Sequence, residues 1–245
     1  MNPLIQLLKS HRSIRKFTDQ PVGDELIDEI VACGQAAATS SNIQATTVIR
    51  VRDAEKREKI AAFSGGQAYV ANAGAFLVFC ADLYRPQLAC EMQGGQFSAG
   101  MTEHFIIATV DAALAAQNSV IAAESLGLGI CYIGGLRNHP QEISELLGLP
   151  DHVYPIFGLC LGYPAQDPET KPRLPLSVVL KEERYQSHSD LECIKAYDER
   201  LRTYYRSRTG GTKDSCWSVE MKGLVGKESR PHMRNFLARR GFTMK

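Results

Sequence analysis

His11-Arg12-Ser13-Ile14-Arg15 follows directly on a short apolar stretch, Pro3–Lys9, and packs two arginines, a histidine and a serine hydroxyl into one short run of backbone. Such a cluster offers charge-assisted donors to a phosphate or another delocalised anion. Taken alone, a basic pentapeptide is more often a solvated face. Two further segments change its reading: Tyr132-Ile133-Gly134-Gly135-Leu136-Arg137 in mid-chain and Lys171-Pro172-Arg173-Leu174-Pro175 beyond it. An extended Lys-Pro-Arg projects both cationic side chains to one face. The glycine pair lets backbone approach a planar ligand closely.

Bulk properties narrow the field. A chain of 245 residues, 44% hydrophobic and 22% charged, can bury a sizeable core as one large domain or two small ones. Its net charge of +1 gives no global argument for nucleic acid or an anionic membrane. The seven cysteines include no C-x-x-C pair and the six histidines no H-x₃-H spacing, so neither zinc nor a disulfide framework is expected. No basic-then-apolar leader pattern is visible, and the unpaired cysteines point to a reducing cytoplasm. The longest apolar tract, Phe105 to Leu126, is interrupted by Asp111, Gln117, Asn118 and Glu124. A bilayer would make these costly, so the tract predicts a buried helix with no membrane partner.

Periodicity predicts a short amphipathic helix over Leu4–Leu8 and a second one capped by Asp24. A polar loop follows at Thr39-Ser40-Ser41-Asn42, then a strand over Thr46–Val51, a charged helix over Ala54–Phe63 and a fully buried strand over Ala75–Ala81. Residues 85–101 show no period and read as a mobile loop. The tract from Thr102 to Leu126 is apolar almost all round, which predicts burial on every side and a place in a homodimer interface. Strands are expected at Ile130–Ile133 and Val153–Leu161, a polar helix at Asp190–Arg206, a Gly/Thr loop at Ser207–Ser215 and two final helices after Ser218. Residues 176–245 read as an extension wrapped on one domain spanning 1–245.

Other chemistries lack a starting point. Gly127-Leu128-Gly129 opens like a dinucleotide fingerprint, but Tyr132 takes its third glycine, and the helix-then-strand order is reversed. Gln96-Phe97-Ser98-Ala99-Gly100 misses the first glycine of a nucleophile elbow. There is no Walker A sequence.

The pentapeptide, the Tyr132–Arg137 segment and Lys171-Pro172-Arg173, in that order and spacing, resemble the FMN-dependent nitroreductase superfamily, most closely its NADPH-dependent, oxygen-insensitive nitroreductase and flavin reductase branch. The likeness runs from Leu4 to about Gly241 and takes in Ala122–Gly129, Phe157–Gly162 and Glu228–Pro231. It implies an α+β fold with a central mixed sheet flanked by helices, assembled as a homodimer with two FMN sites at the interface. It assigns His11, Ser13, Lys171 and Arg173 to the flavin phosphate, Arg15 to the ring near N1 and O2, and Arg12 to the loop and cofactor. Tyr132, Ile133, Gly134, Gly135 and Leu136 fall along the flavin near N5. Thr39, Ser40 and Ser41 match a stretch of serines, with Thr39 a mild departure. Gln67 and Tyr69 match cofactor-side positions, Glu103 an acidic residue on the substrate side, and Arg208 and Lys213 the NADPH-contacting segment. No residue need act as acid, base or nucleophile, because the cofactor carries the redox chemistry. The implied activity is two-electron, ping-pong reduction of nitroaromatics, quinones, free flavin or chromate by NADPH. A flavin reductase feeding a partner monooxygenase or luciferase, and a non-catalytic flavin-binding regulator, remain open alternatives.

Overall fold

The structure, a computed structural model, describes residues 2–245 and divides them into two compact units. The first comprises residues up to Asp167 together with His232–Lys245; the second is Pro168–Pro231. The chain thus leaves the first unit at Asp167, and its last segment returns to that unit.

In the first unit the elements run α1 (Pro3–Lys9), α2 (Asp24–Gln35), β1 (Thr46–Arg50), α3 (Ala54–Phe63), α4 (Tyr69–Asn72) and β2 (Ala75–Asp82). Then come α5 (Tyr84–Met92), α6 (Thr102–Ser125), β3 (Gly129–Ile133), α7 (Pro140–Leu146) and β4 (Val153–Gly162). The strands form one sheet in the order β1-β2-β4-β3, with all three pairings antiparallel. Its mixed character rests on a single parallel bridge, Ser13 with Ile130, which carries the pentapeptide alongside β3.

Both faces of the sheet are covered, which is why β2 reads as an unbroken apolar run. Leu77 and Phe79 point to one face, where Ile27 and Ile30 of α2 and Ala116, Val120 and Ala123 of α6 meet them. Phe76, Val78 and Cys80 point to the other, against Ile60 of α3, Val70 of α4 and Ile143 of α7. Gly34 allows α2 and α6 to touch: a Cβ there would lie 2.9 Å from the Ala115 carbonyl oxygen. Burial pushes the Cys80 thiol up to about 12, so it is a neutral packing group at physiological pH.

Three expectations need correction. Residues 85–101 are not all loop, because α5 occupies Tyr84–Met92. The Asp82 carboxylate starts it by accepting the backbone N–H groups of Tyr84 (2.9 Å) and Arg85 (3.3 Å). The helix buries none of its residues, so it leaves no apolar period to read. Asp24 is not the cap of α2; Gly23 is, and Asp24 instead pairs with Arg50 and Arg52. Finally, α6 is not covered all round. Ile106, Val110 and Leu114, four residues apart, form a stripe 48%, 48% and 43% exposed.

The second unit contains α8 (Leu176–Val179), α9 (Asp190–Arg208) and α10 (Trp217–Val225), packed around Tyr197, Leu201, Tyr204 and Tyr205. In the returning segment, α11 (Met233–Arg239) places Phe236 in a third core of the first unit with Ala45, Leu83, Tyr154, Ile156 and Phe242. Phe236 is almost fully buried. Phe236→Ala should therefore destabilise the first unit by about 3–5 kcal/mol, the transfer loss plus the cavity. A urea midpoint equal to that of the parent chain would show that the terminal helix contributes nothing to the core.

Candidate functional site

The pentapeptide is held on both sides. Ile14 N–H donates to the Ile130 carbonyl at 2.8 Å and its side chain is buried. Arg12 and Ile14 line one cavity together with Leu128 and Asp167, and Arg12 Nη2 pairs with Asp167 at 2.6 Å. Alternation along an extended segment sends Ser13 and Arg15 to the opposite face. His11 turns to α6, with Nδ1 2.7 Å from Glu124 Oε1.

Arg15 faces Tyr69 and Cys131. Burial raises the Tyr69 hydroxyl above its ordinary value, the adjacent Cys131 thiol adds to the rise, and the Arg15 guanidinium opposes it. Burial likewise raises Cys131 against the pull of Arg15. Tyr69 therefore keeps its proton at neutral pH and acts as a donor, and its hydroxyl donates to Gln67 Oε1. Gln67 Nε2 in turn donates to the Ser64 carbonyl at 2.5 Å. Gly135 lies directly against this pair, and a Cβ there would collide with the Ser64 carbonyl oxygen and Gln67 Nε2. Arg15, Tyr69, Gln67 and the Gly134-Gly135 turn thus form one continuous cluster at the end of β3. It offers a cation, a phenol and an amide, while burial keeps the adjacent Cys131 thiol protonated.

The neighbouring side chains in this segment point elsewhere. Tyr132 projects to the opposite face of the sheet, edge-on to Phe157 with centroids 5.1 Å apart. Burial, and secondarily Glu124, push its hydroxyl up to about 12. Ile133 and Leu136 are fully buried. Any ligand contact from these three is through backbone.

Thr39, Ser40 and Ser41 are fixed at a different place. Ser41, Asn42 and Gln44 all have left-handed backbone, with φ of 48°, 57° and 52°. Such strain persists only where the surroundings impose it. Here the buried Asp111 of α6 imposes it, accepting Ser40 N–H and Ala45 N–H at 3.2 Å each. Asp111 and Glu124 are thirteen residues apart on one helix, so the anchor of this turn lies about 20 Å from that of His11. Glu103, in the first turn of α6, is farther still, about 30 Å along the axis from Glu124. A single chain does not gather these residues round the pentapeptide.

In the second unit the four assigned cations collect around tyrosines of α9. Lys171 Nζ donates to the Tyr205 hydroxyl at 2.8 Å, and Lys213 Nζ lies 4.2 Å from the centre of the same ring. Lys213 also pairs with Glu220 at 3.0 Å; Ser215 and then Lys213 hold that carboxyl below its usual range. Arg173 faces Tyr197, whose hydroxyl burial raises and Arg173 lowers. Arg208 is not a loop residue, as the sequence suggested, but ends α9, where a cation complements the helix dipole. Its Nη1 donates to the Tyr204 hydroxyl at 2.7 Å. Sequence reasoning missed Tyr204 and Tyr205, although a tyrosine four residues before an arginine on a helix marks one face. It also missed Asp111 as an anchor; a lone carboxylate inside an apolar helix is the signal, because it must find partners.

The first unit is a sheet between two helical layers with a guanidinium, a phenol, an amide and a glycine turn gathered at the end of β3, a set suited to a flat, anionic ligand. Residues 8–163 match the model of the Nitroreductase family, and residues 171–245 that of the Nitroreductase family, C-terminal domain. The chain is 46% identical over 241 residues to the NADPH-flavin oxidoreductase of Vibrio harveyi, covering 98% of each protein. It is 43% identical over 242 residues to the oxygen-insensitive NADPH nitroreductase of Salmonella typhimurium, covering 99% of each. The structure of NfrA1 from B. megaterium superposes with a TM-score of 0.95 at 44% identity, over 98% of this chain and 99% of that one. The chain belongs to the Nitroreductase family.

The Asp111 anchor yields a test. Asp111→Ala leaves two backbone N–H groups without their acceptor and should cost about 3–5 kcal/mol of stability, with Asp111→Asn losing roughly half as much. Urea unfolding of both variants measures this. Stability unchanged in Asp111→Ala would mean that the strained turn holds itself.

Proposed function

We propose that this chain is an NADPH-dependent FMN oxidoreductase that reduces small-molecule acceptors: nitroaromatics, quinones, free flavin and chromate. The observation that carries the reading is the Arg15–Tyr69–Gln67 cluster packed on Gly135. The cluster fits a flavin by the chemistry of its donors: a guanidinium, a phenol and an amide meet at the end of β3, and the missing side chain at Gly135 lets Gln67 and the Ser64 carbonyl pack directly on its backbone. When bound, FMN supplies the two-electron redox chemistry, for which NADPH is the donor.

The residues of the chain bind and tune. Arg15 places a positive charge against the ring, where it stabilises the negative charge that accompanies reduction. Backbone at Tyr132, Ile133, Gly134, Gly135 and Leu136 would line the ring once FMN is bound. Tyr69, protonated at neutral pH, and Gln67 present hydrogen-bonding groups beside it. His11 and Ser13, with Lys171 and Arg173, take the phosphate, for which paired charged contacts suit a dianion. Arg12 holds the loop through Asp167.

Thr39, Ser40, Ser41 and Glu103 serve this site from a second copy of the chain. Two α6 helices packed antiparallel across the bare Ile106, Val110 and Leu114 stripe would bring the start of one beside the end of the other. That arrangement covers apolar surface otherwise left in water and spans the 20–30 Å that a single chain leaves open. The protein is on this reading a cytoplasmic homodimer acting on small molecules, without nucleic acid or membrane.

The deciding experiment is an anaerobic titration followed in the visible spectrum. NADPH should bleach the yellow protein, and a nitroaromatic, added after excess NADPH is removed, should restore the colour. A protein that binds FMN but does not bleach would be a flavin-binding regulator instead. Changing Lys171 and Arg173 together to alanine should weaken FMN binding by about 3–6 kcal/mol, from two charge-assisted contacts. Full FMN occupancy in that variant at limiting flavin would remove both from the site. Arg208→Ala should raise the KM for NADPH by one to two orders of magnitude, on the order of 1.5–3 kcal/mol for a lost charged hydrogen bond to the 2′-phosphate. The preference for NADPH over NADH should fall with it. Equal losses with both nicotinamides would assign Arg208 to the fold.

A further inference from the structure

Lys171 and Lys213 come from two segments that the reading above gives to two different ligands, the flavin phosphate and NADPH. They nevertheless rest on one side chain. Lys171 Nζ donates to the Tyr205 hydroxyl at 2.8 Å and lies 5.0 Å from the ring centre, and Lys213 Nζ sits 4.2 Å from that centre. Tyr205 itself is 8% exposed and locked in α9 between Tyr204 and the aromatic core of the second unit, so its ring is a rigid post. Two like charges sharing a ring repel one another. The negative face of the ring and the Glu220 carboxylate, 3.0 Å from Lys213, offset that repulsion.

We propose that Tyr205 is a positioning residue for both ligands, its hydroxyl aiming Lys171 at the flavin phosphate and its ring aiming Lys213 at the phosphate that distinguishes NADPH. The inference rests on the proposed function and adds a division of labour within one side chain. A long lysine loses considerable side-chain entropy when fixed at an anion, and a partner that already restricts it lowers that cost. The hydroxyl holds Lys171 by hydrogen bond, whereas the ring face holds Lys213.

The two parts separate by substitution. Tyr205→Phe removes the hydroxyl and keeps the ring, so the Kd for FMN, read by quenching of flavin fluorescence, should rise three- to tenfold. Its preference for NADPH over NADH, as the ratio of kcat/KM values at saturating FMN, should stay within twofold of the parent. Tyr205→Leu removes the ring too: FMN should bind three- to tenfold more weakly, as in Tyr205→Phe, and the NADPH preference should fall about tenfold. An FMN Kd in Tyr205→Phe equal to that of the parent overturns the hydroxyl's role. In Tyr205→Leu, equal losses with NADPH and NADH, alongside a lowered Tm, would leave Tyr205 a packing residue and overturn the ring's role. Should Tyr205→Leu not fold, Tyr205→Met, which fills the space without an aromatic face, carries the same comparison. Lys171→Ala separates this inference from the reading beneath it. If FMN binds Lys171→Ala as tightly as the parent, the phosphate assignment itself fails. If Lys171→Ala weakens FMN while Tyr205→Phe does not, only the positioning role falls.

Discussion

A carboxylate buried in the middle of an apolar helix is the constraint on which the first unit depends. Asp111 is 1% exposed, and a charge so placed is tolerable only if hydrogen bonds replace its water. The Ser40 and Ala45 N–H groups supply them, and in doing so they fix the left-handed turn and seat Ala45 in the core shared with Phe236. Glu124, farther along the same helix, fixes His11. One straight element therefore sets the spacing between two loops far apart in sequence, while its inner face closes the sheet and its outer stripe stays bare.

Elements with a strong period were legible in the residues. The buried run of β2 and the length of α6 emerged within a residue or two, and the start of α2 within one. Unbroken apolar strands and 3.6-residue stripes record burial directly in the sequence. Helix α5 did not emerge, because it buries nothing and is started by a strand residue, Asp82, whose capping role depends on where β2 ends. Within one chain α6 keeps a bare stripe: hydrophobicity tells that a face avoids water, not whether the same chain covers it.

The site was legible unevenly, for a physical reason. The pentapeptide, the glycine turn and the Lys-Pro-Arg tripeptide are local patterns, each with its chemistry within a few residues. The contacts that fix them are not local. Asp111 reaches across 71 and 66 residues to its two amides, and Lys171 reaches across 34 to Tyr205. Such pairings depend on topology, so residues like Tyr205 look ordinary until the chain is folded. Tyr132 shows the converse: a conspicuous aromatic in the right segment whose ring turns away to pack on Phe157.

The return of the last residues to the first unit makes residues 168–231 an insertion and not a tail. A protease that nicks this stretch yields two fragments, neither of which owns the whole core. The larger keeps the sheet, while the smaller keeps Phe236 and Phe242 embedded among Ala45, Tyr154 and Ile156. Parting them means drawing two aromatic rings into water, at roughly 1.5–3 kcal/mol each; that sum alone corresponds to an affinity of roughly tens of micromolar or weaker, so the fragments of a nicked molecule separate on dilution. Loss of the segment that carries Phe236 and Phe242 strikes the core itself.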